Sequence, residues 1–307
     1  MKTIFITGIS GFIGQALYSR LKNDCNIVGL YYSKDECSFP NCYSGDLLNF
    51  EEMTEIIYDA SPDMIIHLAA RTEVEKSFYE PIKFSSINYI GTVNLIEVVR
   101  GYCPNIELFL FSSTMETYGY QTVWEPFDED TPQHPNAPYA VAKLACEKYL
   151  EYAGRAYDLP YCILRQTNTY GRTDNDFFVV EQIITQMLKN SYEINLGYKD
   201  PWRNFLYIDD LLDLYEIIIL NPMKVTKEVF CTGPPNALPI YDLVKKIAKI
   251  IGWKGRINWG TKPERIGEIY YLNSKHDKAT KLLGWTPRTS LDEGLRKTIE
   301  YWRNICQ

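Results

Sequence analysis

Tyr139 and Lys143 are the residues whose types and spacing first indicate chemistry. They lie four residues apart in Pro138-Tyr-Ala-Val-Ala-Lys143, and residues at this spacing share one face of a helix. A phenol ordinarily has a pKa of about 10, and a positive charge beside it favours the phenolate. Lys143 is therefore predicted to lower the pKa of Tyr139, so that the tyrosine can give and take a proton. The alternative is an amphipathic helix with an exposed lysine, because this spacing often arises by chance.

Thr114 and Glu116 belong to a second group of polar side chains. They lie in Ser112-Ser-Thr-Met-Glu-Thr-Tyr-Gly119, directly after a predicted strand. In a doubly wound parallel sheet, ligands bind outside the carboxyl ends of the strands. The end of the Thr114 strand is therefore expected at the ligand crevice.

The elements that position these residues alternate between short β-rich runs and longer amphipathic segments. Runs such as Leu108-Phe-Leu-Phe111 are almost continuously apolar, as strands of a parallel sheet covered on both faces are. The pattern predicts a doubly wound α/β fold. The predicted strands are Thr3–Thr7, Asn26–Tyr31, Met64–Leu68, Glu107–Ser112 and Pro160–Leu164, and the predicted helices are Phe12–Asn23, Phe50–Ala60, Ile82–Gly101 and Tyr139–Tyr157.

A glycine-rich turn links the first predicted strand to the first predicted helix. It reads Gly8-Ile-Ser-Gly11-Phe12-Ile13-Gly14, with the spacing Gly-x-x-Gly-x-x-Gly. Glycines at such a turn allow a tight bend, close approach of the backbone to a pyrophosphate, and packing of the helix on the sheet. The helix N-terminus supplies N–H donors and positive potential for the phosphates. The segment is predicted to bind a dinucleotide cofactor.

The end of the second predicted strand bears on which dinucleotide is bound. It reads Gly29-Leu-Tyr-Tyr-Ser33-Lys34, without the acidic residue that usually holds the ribose of NAD. Ser33 and Lys34 can instead hold a 2′-phosphate, so NADP is favoured and NAD stays possible. In the alternative, this is a solvated loop and Asp35 or Glu36 reaches back. Asp46, followed by Leu47, is expected near the adenine.

The second half of the chain is less regular. Beyond about Asn168, Pro- and Gly-containing loops separate the predicted helices. We therefore expect an NAD(P)-binding domain at residues 1–167 and a smaller mixed α/β substrate-binding region at residues 168–307, some segments of which return to the first domain. The later predicted helices are Val179–Leu188, Leu211–Leu220, Ile240–Ile251 and Leu291–Arg303.

Composition and charge exclude several classes of partner. Hydrophobic residues make up 46% of the 307 residues and charged residues 23%, as in globular proteins. The net charge of −7 argues against a nucleic-acid partner. No segment resembles a signal sequence or a membrane span, so a cytoplasmic protein without a membrane partner is predicted. The eight cysteines and three histidines lack ligand-like spacing, so no metal site is expected.

Two sets of motifs follow one another along the chain. The first set is Gly8-x-x-Gly11-x-x-Gly14, His67-Leu68-Ala69-Ala70, Asn88-x-x-Gly-Thr92, Ser112-Ser-Thr114, Tyr118-Gly119 and Tyr139-x-x-x-Lys143, and the second is Arg165-x-x-Asn168-x-Tyr-Gly171, Trp202-Arg-Asn-Phe-Leu-Tyr-Ile-Asp-Asp210 and Leu283-Gly-Trp-x-Pro287. The first set resembles the extended short-chain dehydrogenase/reductase superfamily, and the second resembles its nucleotide-sugar epimerase/dehydratase branch. By motif the chain is most similar to the hexose 4,6-dehydratases of that branch. The resemblance runs nearly end to end and implies a Rossmann-type cofactor domain.

The resemblance implies a role for each site residue. Thr114 and Tyr139 would contact the sugar 4-hydroxyl, and Lys143 would hydrogen-bond the nicotinamide ribose. Tyr139 would remove the hydroxyl proton as C4 gives hydride to the cofactor, which leaves a 4-keto sugar. Either substrate-binding arginine has a surface ion pair as its alternative role. The other implied contacts are Leu68, Ala69 and Ala70 with the cofactor, Arg71 and Met115 with the substrate, and Asn168, Arg203 and Arg265 with its diphosphate.

Met115 and Glu116 determine the fate of the 4-keto sugar. A 4-ketone acidifies the C5 hydrogen, so a carboxylate at Glu116 can remove it and drive loss of the C6 hydroxyl as water. The 4,6-dehydratases of the branch carry Thr-Asp-Glu or Thr-Ser-Glu here, whereas this chain has Thr114-Met115-Glu116. Methionine cannot donate a proton to the departing hydroxyl. In another reading, Glu116 faces solvent or pairs with Arg71.

The leading hypothesis is a nucleotide-sugar dehydratase of the 4,6 type. A 4-epimerase or 4-ketoreductase with an idle Glu116 is the close alternative, and a 5,6-dehydratase, a decarboxylase or a non-catalytic nucleotide-binding protein are further ones. The resemblance also implies a homodimer through the helices Ile82–Gly101 and Tyr139–Tyr157. The nucleoside and the sugar stay open, because the base pocket is expected in the variable segments 175–181, 196–202 and 263–268.

Overall fold

A computed structural model describes residues 1–32, 37–173, 175–235, 237–261, 263 and 266–306 of the protein. The chain forms two compact units, each built from segments that are not contiguous in sequence. The first unit comprises Met1–Tyr120, Thr131–Gln166 and Tyr215–Phe230, and the second comprises Gln121–Asp130, Thr167–Leu214 and Cys231–Gln307.

The first unit is built on a seven-stranded sheet with flanking helices. Its labelled strands are β1 (Thr3–Thr7), β2 (Asn26–Tyr31), β3 (Cys42–Ser44), β4 (Met64–His67), β5 (Leu108–Thr114) and β6 (Tyr161–Gln166). The order across the sheet is Glu228–Cys231, β6, β5, β4, β1, β2 and β3. From β6 to β3 all neighbouring strands are parallel. The predicted doubly wound α/β fold class is confirmed.

Apolar side chains of the strands pack against the helices of this unit. In β1, the side chains of Ile4, Phe5 and Ile6 are wholly buried, as a strand covered on both faces requires. Phe5 lies in one core cluster with Met53 and Leu95 of two flanking helices. The helices are α1 (Phe12–Leu21), α2 (Phe50–Ala60), α3 (Val74–Ser77), α4 (Pro81–Ser85), α5 (Gly91–Tyr102) and α6 (Pro138–Ala156), with Pro222–Val225 later in the chain.

The predicted helix Ile82–Gly101 is confirmed as one continuous helical segment, but it is not a regular α-helix. The structure has the short helix α4, a π-helical segment at Ser86–Ile90, and then α5. A π-helical turn holds one more residue than an α-helical turn. The hydrophobic pattern alone was compatible with one continuous helix. The strand β5 also extends to Thr114, two residues beyond its predicted end.

The second unit has its own core of helices and small sheets. Asn168–Tyr170 pairs with Phe205–Tyr207, Glu193–Asn195 pairs with Arg256–Asn258, and Trp202–Arg203 pairs with Leu238–Pro239 and Tyr271–Leu272. Within the described part of the chain, no helix is long and apolar enough to cross a membrane. The remaining helices are Val179–Lys189, Ile208–Leu220, Ile240–Ile251, Asp277–Leu283 and Leu291–Cys306.

Candidate active site

The glycine turn between β1 and α1 has a backbone that only glycines fit. Gly8 has φ +71°, and its N–H donates to the carbonyl oxygen of Leu30 at 2.8 Å. A Cβ on Gly8 would lie 2.9 Å from the backbone of Ala69. A Cβ on Gly14 would lie 2.4 Å from the carbonyl oxygen of Gly8, and Gly11 caps α1. The tight turn thus leads directly into the first turn of α1, which holds Phe12 and Ile13 and whose N–H groups suit phosphate binding.

The loop after β4 is held against this turn by Thr7. The Thr7 hydroxyl accepts hydrogen bonds from the N–H groups of Leu68 and Ala69 at 3.2 and 3.1 Å. It also bonds to Nδ1 of His67 at 2.7 Å. Leu68, Ala69 and Ala70, the predicted cofactor contacts, are therefore placed beside the glycine turn by a buried side chain of β1.

The tautomer of His67 is set by its two partners. Its Nε2 lies 2.8 Å from the hydroxyl of Thr92, and that hydroxyl donates to the carbonyl oxygen of Asn88 at 2.6 Å. The Nε2 must therefore carry the proton, and Nδ1 accepts from Thr7. Burial, followed by the charge of Lys143, lowers the pKa of His67 to about 3. His67 is therefore neutral, and its two hydrogen bonds join the end of β4 to Thr7 and Thr92.

Asp46 and Leu47 lie in a turn between β3 and α2. The Asp46 carboxylate accepts the N–H of Leu48 at 3.0 Å, and its own N–H donates to Glu52 at 3.0 Å. The carbonyl oxygen of Leu47 accepts from Asn94 at 3.0 Å. Asp46 shapes this turn, and its contact with adenine stays a prediction. Three other predicted binding residues, Ser33, Lys34 and Arg265, lie outside the described residues.

Thr114, Tyr139 and Glu116 come together at the end of β5. The Thr114 side chain accepts the N–H of Glu116 at 3.2 Å and hydrogen-bonds the phenol of Tyr139. Tyr139 is buried, and burial, then the charge of Glu116, raises its pKa, while Thr114 lowers it and Cys146 raises it. The predicted lowering of this pKa by Lys143 is therefore wrong for the protein alone, because burial raises the pKa.

Lys143 is directed at the backbone of β5. Its Nζ donates to the carbonyl oxygen of Ser112 at 2.7 Å and lies 4.7 Å from the centre of the Phe111 ring. Burial lowers its pKa to about 8, against the opposing charges of Cys146 and Glu147. This ammonium therefore loses its proton at a pH closer to neutrality than an ordinary lysine does.

Glu116 and Met115 open a short 3-10 turn, Met115–Tyr118, directly after Thr114. Glu116 is partly buried, and its Oε2 has no hydrogen-bond partner among the described residues. Met115 is buried with 2% of its surface exposed. The alternative pairing of Glu116 with Arg71 is not observed, since Arg71 lies 3.7 Å from Glu80. A carboxylate with an unpaired oxygen therefore stands next to the tyrosine.

In the second unit, Arg203 forms an ion pair with Glu268. Its Nη2 lies 2.7 Å from the Glu268 carboxylate, and both side chains are mostly buried. Its Nη1 donates to the carbonyl oxygen of Trp202 at 2.8 Å. Asn168 donates to the carbonyl oxygen of Asn204 at 3.4 Å. Diphosphate binding by Arg203 and Asn168 stays a prediction.

A buried ion pair between β6 and α6 was not predicted from the sequence. Arg165 and Glu147 lie 2.9 Å apart, with side-chain exposures of 4% and 0%. A signal was present, because Glu147 lies four residues after Lys143 and thus on the same helix face. Arg165 opens the motif that ends at Gly171, but no spacing rule links it to the helix.

The glycine turn on a parallel sheet, with a buried Tyr-Lys pair at a strand end, defines a dinucleotide-dependent α/β enzyme. A family model described as the NAD dependent epimerase/dehydratase family matches residues 4–233, and the chain belongs to this family. The predicted superfamily and the prediction of an NAD(P)-dependent enzyme are confirmed.

Characterised relatives and solved structures are similar along the whole chain. The UDP-glucose 4-epimerase of Mycolicibacterium smegmatis is 28% identical over 321 residues, covering 100% of both chains. The dTDP-D-glucose 4,6-dehydratase of Homo sapiens is 27% identical over 327 residues, covering 98% of this chain and 90% of that protein. The structure of UDP-glucose 4-epimerase with UDP-glucose from Thermotoga maritima has a TM-score of 0.91 at 30% identity, covering 99% of this chain and 100% of that chain.

Proposed function

We propose that the protein is a nucleotide-diphosphate-sugar dehydratase of the 4,6 type that works through a transient 4-keto sugar. The observation that carries the proposal is the Glu116 carboxylate, whose charge acts on the Tyr139 phenol and whose Oε2 has no partner among the described residues. A base beside an oxidation site needs such an unpaired oxygen.

The first step is oxidation at C4 of the hexose. Thr114 and Tyr139 would hold the 4-hydroxyl, and Tyr139 takes its proton. NAD(P), when bound, accepts the hydride and later returns it. The positive charge of an oxidised nicotinamide would favour the phenolate and so oppose the effect of burial on the pKa of Tyr139.

Elimination proceeds from the 4-ketone. Glu116 removes the acidified C5 hydrogen, and this proton would go to the departing C6 hydroxyl, which leaves as water and gives a 5,6-alkene conjugated with the ketone. The hydride taken from C4 would then be added to C6, and the proton taken from the 4-hydroxyl would be added to C5. The 4-keto-6-deoxy sugar is then released.

A 4-epimerase or 4-ketoreductase is the second candidate, and Met115 favours it. This thioether is buried and cannot protonate a departing hydroxyl. The similar proteins of Mycolicibacterium smegmatis and Thermotoga maritima are 4-epimerases. In this candidate the C4 oxidation site is the same, and Glu116 takes no part.

A panel of UDP-, GDP-, dTDP- and CDP-hexoses tests the proposal. The enzyme is incubated with each sugar, and products are read by mass spectrometry and NMR. We expect one product whose mass is lower by one water. A product of unchanged mass with inverted C4 would establish the epimerase instead, and a reduced 4-keto substrate would establish the reductase.

We further propose that Asn168, Arg203 and Arg265 bind the diphosphate and that NADP is the cofactor. Arginine forks match phosphate oxygens in geometry and charge. Arg203 is already held in one orientation by Glu268, which reduces the entropy cost of binding. The preference for NADP rests on Ser33, Lys34 and the lack of an acidic residue at the end of β2.

We also propose a homodimer that packs through α4, α5 and α6. These helices expose apolar side chains, including Ile82 at 82% and Val141 at 52%. Exposed apolar surface of this kind marks association sites. Light scattering on the purified protein tests the proposal, and Val141→Glu is expected to yield monomers.

A further inference from the structure

The buried pair of Arg165 and Glu147 joins β6 to α6 in the first unit. The Nη2 and Nε of Arg165 lie 2.9 and 3.1 Å from Oε2 of Glu147. Nε also lies 3.3 Å from Oε1 of Glu147, and donors that reach both carboxylate oxygens fix the guanidinium plane as well as its position. Arg165 therefore has a single orientation relative to the helix that carries Tyr139 and Lys143.

Further donors complete the coordination of the Glu147 carboxylate. The hydroxyl of Ser113, in β5, donates to its Oε1. The amide of Gln133 donates to Oε2 at 3.0 Å, and its oxygen accepts from Arg165 at 3.1 Å. A fully satisfied buried network of charged groups is rigid, because every alternative arrangement leaves a buried charge without a partner.

Arg165 also bonds to the turn Met115–Tyr118, which carries Glu116. Its Nη1 donates to the phenol oxygen of Tyr118 at 3.0 Å, and Tyr118 is completely buried. Tyr118 is the last residue of the turn Met115–Tyr118. The backbone of the next residue, Gly119, packs closely against that of His134, because a Cβ on Gly119 would lie 1.6 Å from the His134 carbonyl oxygen.

The position of Glu116 depends on this turn. Its Oε2 has no hydrogen-bond partner among the described residues, and its N–H bonds only to the Thr114 hydroxyl at 3.2 Å. The side chain is therefore located by the backbone that carries it rather than by bonds of its own.

We propose that Tyr118 and Arg165 are positioning residues: Arg165, held by Glu147 on α6, anchors Tyr118 and thereby keeps the Glu116 carboxylate beside the Tyr139 phenol. The inference deepens the proposed function, since it concerns the base assigned there. Neither residue touches the reacting atoms.

The test uses Tyr118→Phe in the full-length enzyme with its cofactor, because this change removes one hydroxyl and keeps the ring. The first readout is the pH profile of C4 oxidation, followed as reduction of the bound cofactor in a single turnover. The groups that act on the pKa of the phenol are Glu116 in the turn, Thr114 directly before it, and Cys146 on α6. Displacing Glu116 removes a negative charge, so the apparent pKa of oxidation is expected to fall, in the direction that Glu116→Gln also gives.

The second readout is the rate of water loss. Loss of a hydrogen bond from a charged donor is expected to slow elimination by about tenfold, with oxidation changed by less than about twofold. Arg165→Lys is the second variant, because lysine keeps the charge opposite Glu147 but lacks the fork that also reaches Tyr118. The double variant should be no worse than Arg165→Lys alone.

Tyr170→Phe is the matched control. Tyr170 is also buried, and its hydroxyl donates to the carbonyl oxygen of Leu291, another residue of the second unit, at 3.3 Å. It should lower the melting temperature without changing the oxidation profile. An unchanged profile in both Tyr118→Phe and Arg165→Lys, or equal losses of oxidation and elimination, would overturn the inference. If the wild-type enzyme releases no water, the proposed dehydration fails, and the oxidation profile still decides the role of Tyr118.

Discussion

The Nζ of Lys143 donates a hydrogen bond to the backbone carbonyl oxygen of Ser112 at 2.7 Å, which ties α6 to the end of β5. The ammonium is otherwise surrounded by buried side chains, with the Phe111 ring beneath it. Its position is therefore fixed by the main chain of the strand that leads to Thr114.

This burial gives a pH-dependent stability that Lys143→Met should remove. The pKa of Lys143 is about 8 in the folded protein, against 10.5 for a free lysine, because burial disfavours the charge. The unfolded chain therefore binds more protons between these values, so the contribution of Lys143 to the unfolding free energy rises with pH in this window. The shift corresponds to roughly 3 kcal/mol. Urea unfolding of both proteins across the window measures it. A difference between them that stays constant with pH would contradict this expectation.

Glu116→Gln should separate the two halves of the proposed reaction. Glutamine keeps the size of the side chain but cannot accept the C5 proton. We expect water loss to fall by at least about a hundredfold, while reduction of the bound cofactor persists and the 4-keto sugar accumulates. Product mass and cofactor absorbance report the two steps. Glu125→Gln, an exposed carboxylate elsewhere in the chain, is the control. Undiminished dehydration in Glu116→Gln would remove this residue from the mechanism.

Gly14→Ala should weaken cofactor binding. The added Cβ would lie 2.4 Å from the carbonyl oxygen of Gly8, so the phosphate-binding backbone must move. Forced shifts of this kind cost about 1 to 3 kcal/mol, and calorimetric titration should show a correspondingly weaker affinity. Gly101→Ala is the matched control, because Gly101 is exposed near the end of α5 and its Cβ would meet nothing within 4 Å. Equal affinities of the two variants would refute the assignment of the turn.

Arg203→Leu should raise KM for the nucleotide sugar with little change in kcat. A charge-assisted bond to phosphate contributes about 1.5 to 3 kcal/mol, which corresponds to a tenfold to hundredfold change. The exposed Arg256, which pairs with Glu193 at 2.6 Å, supplies the control Arg256→Leu. If both substitutions leave KM unchanged, Arg203 has only its structural pairing with Glu268.

Purified protein should carry NADP rather than NAD. Lys34→Ala should then lower the affinity for NADP and leave that for NAD nearly unchanged, because only NADP has a 2′-phosphate. Chromatography of the nucleotide released on denaturation identifies the cofactor. Release of NAD alone would overturn the preference.

The sequence was informative where one local element carries the signal. The Gly8, Gly11 and Gly14 turn was predicted in its place, and the spacing of Tyr139 and Lys143 put both on one helix. The direction of the Lys143 ammonium was not predictable, because its partner is a backbone carbonyl of the strand β5 and every residue of a sequence has such a carbonyl. The pairing of Arg165 with Glu147 depends on the register of β6 against α6, which only the tertiary structure sets.

The π-helical segment Ser86–Ile90 places one extra residue in a turn of the helix. One extra residue turns the rest of the helix by about 100° around its axis. Asn88 in this segment bonds both backbone groups of Arg71, at 2.8 and 2.9 Å, and its carbonyl oxygen still receives the hydroxyl of Thr92. Deleting a single residue here would restore a regular helix yet rotate Thr92 away from His67. Shortening the helix by one residue is therefore expected to break the hydrogen bond between Thr92 and His67, whereas an exchange of exposed residues would preserve it.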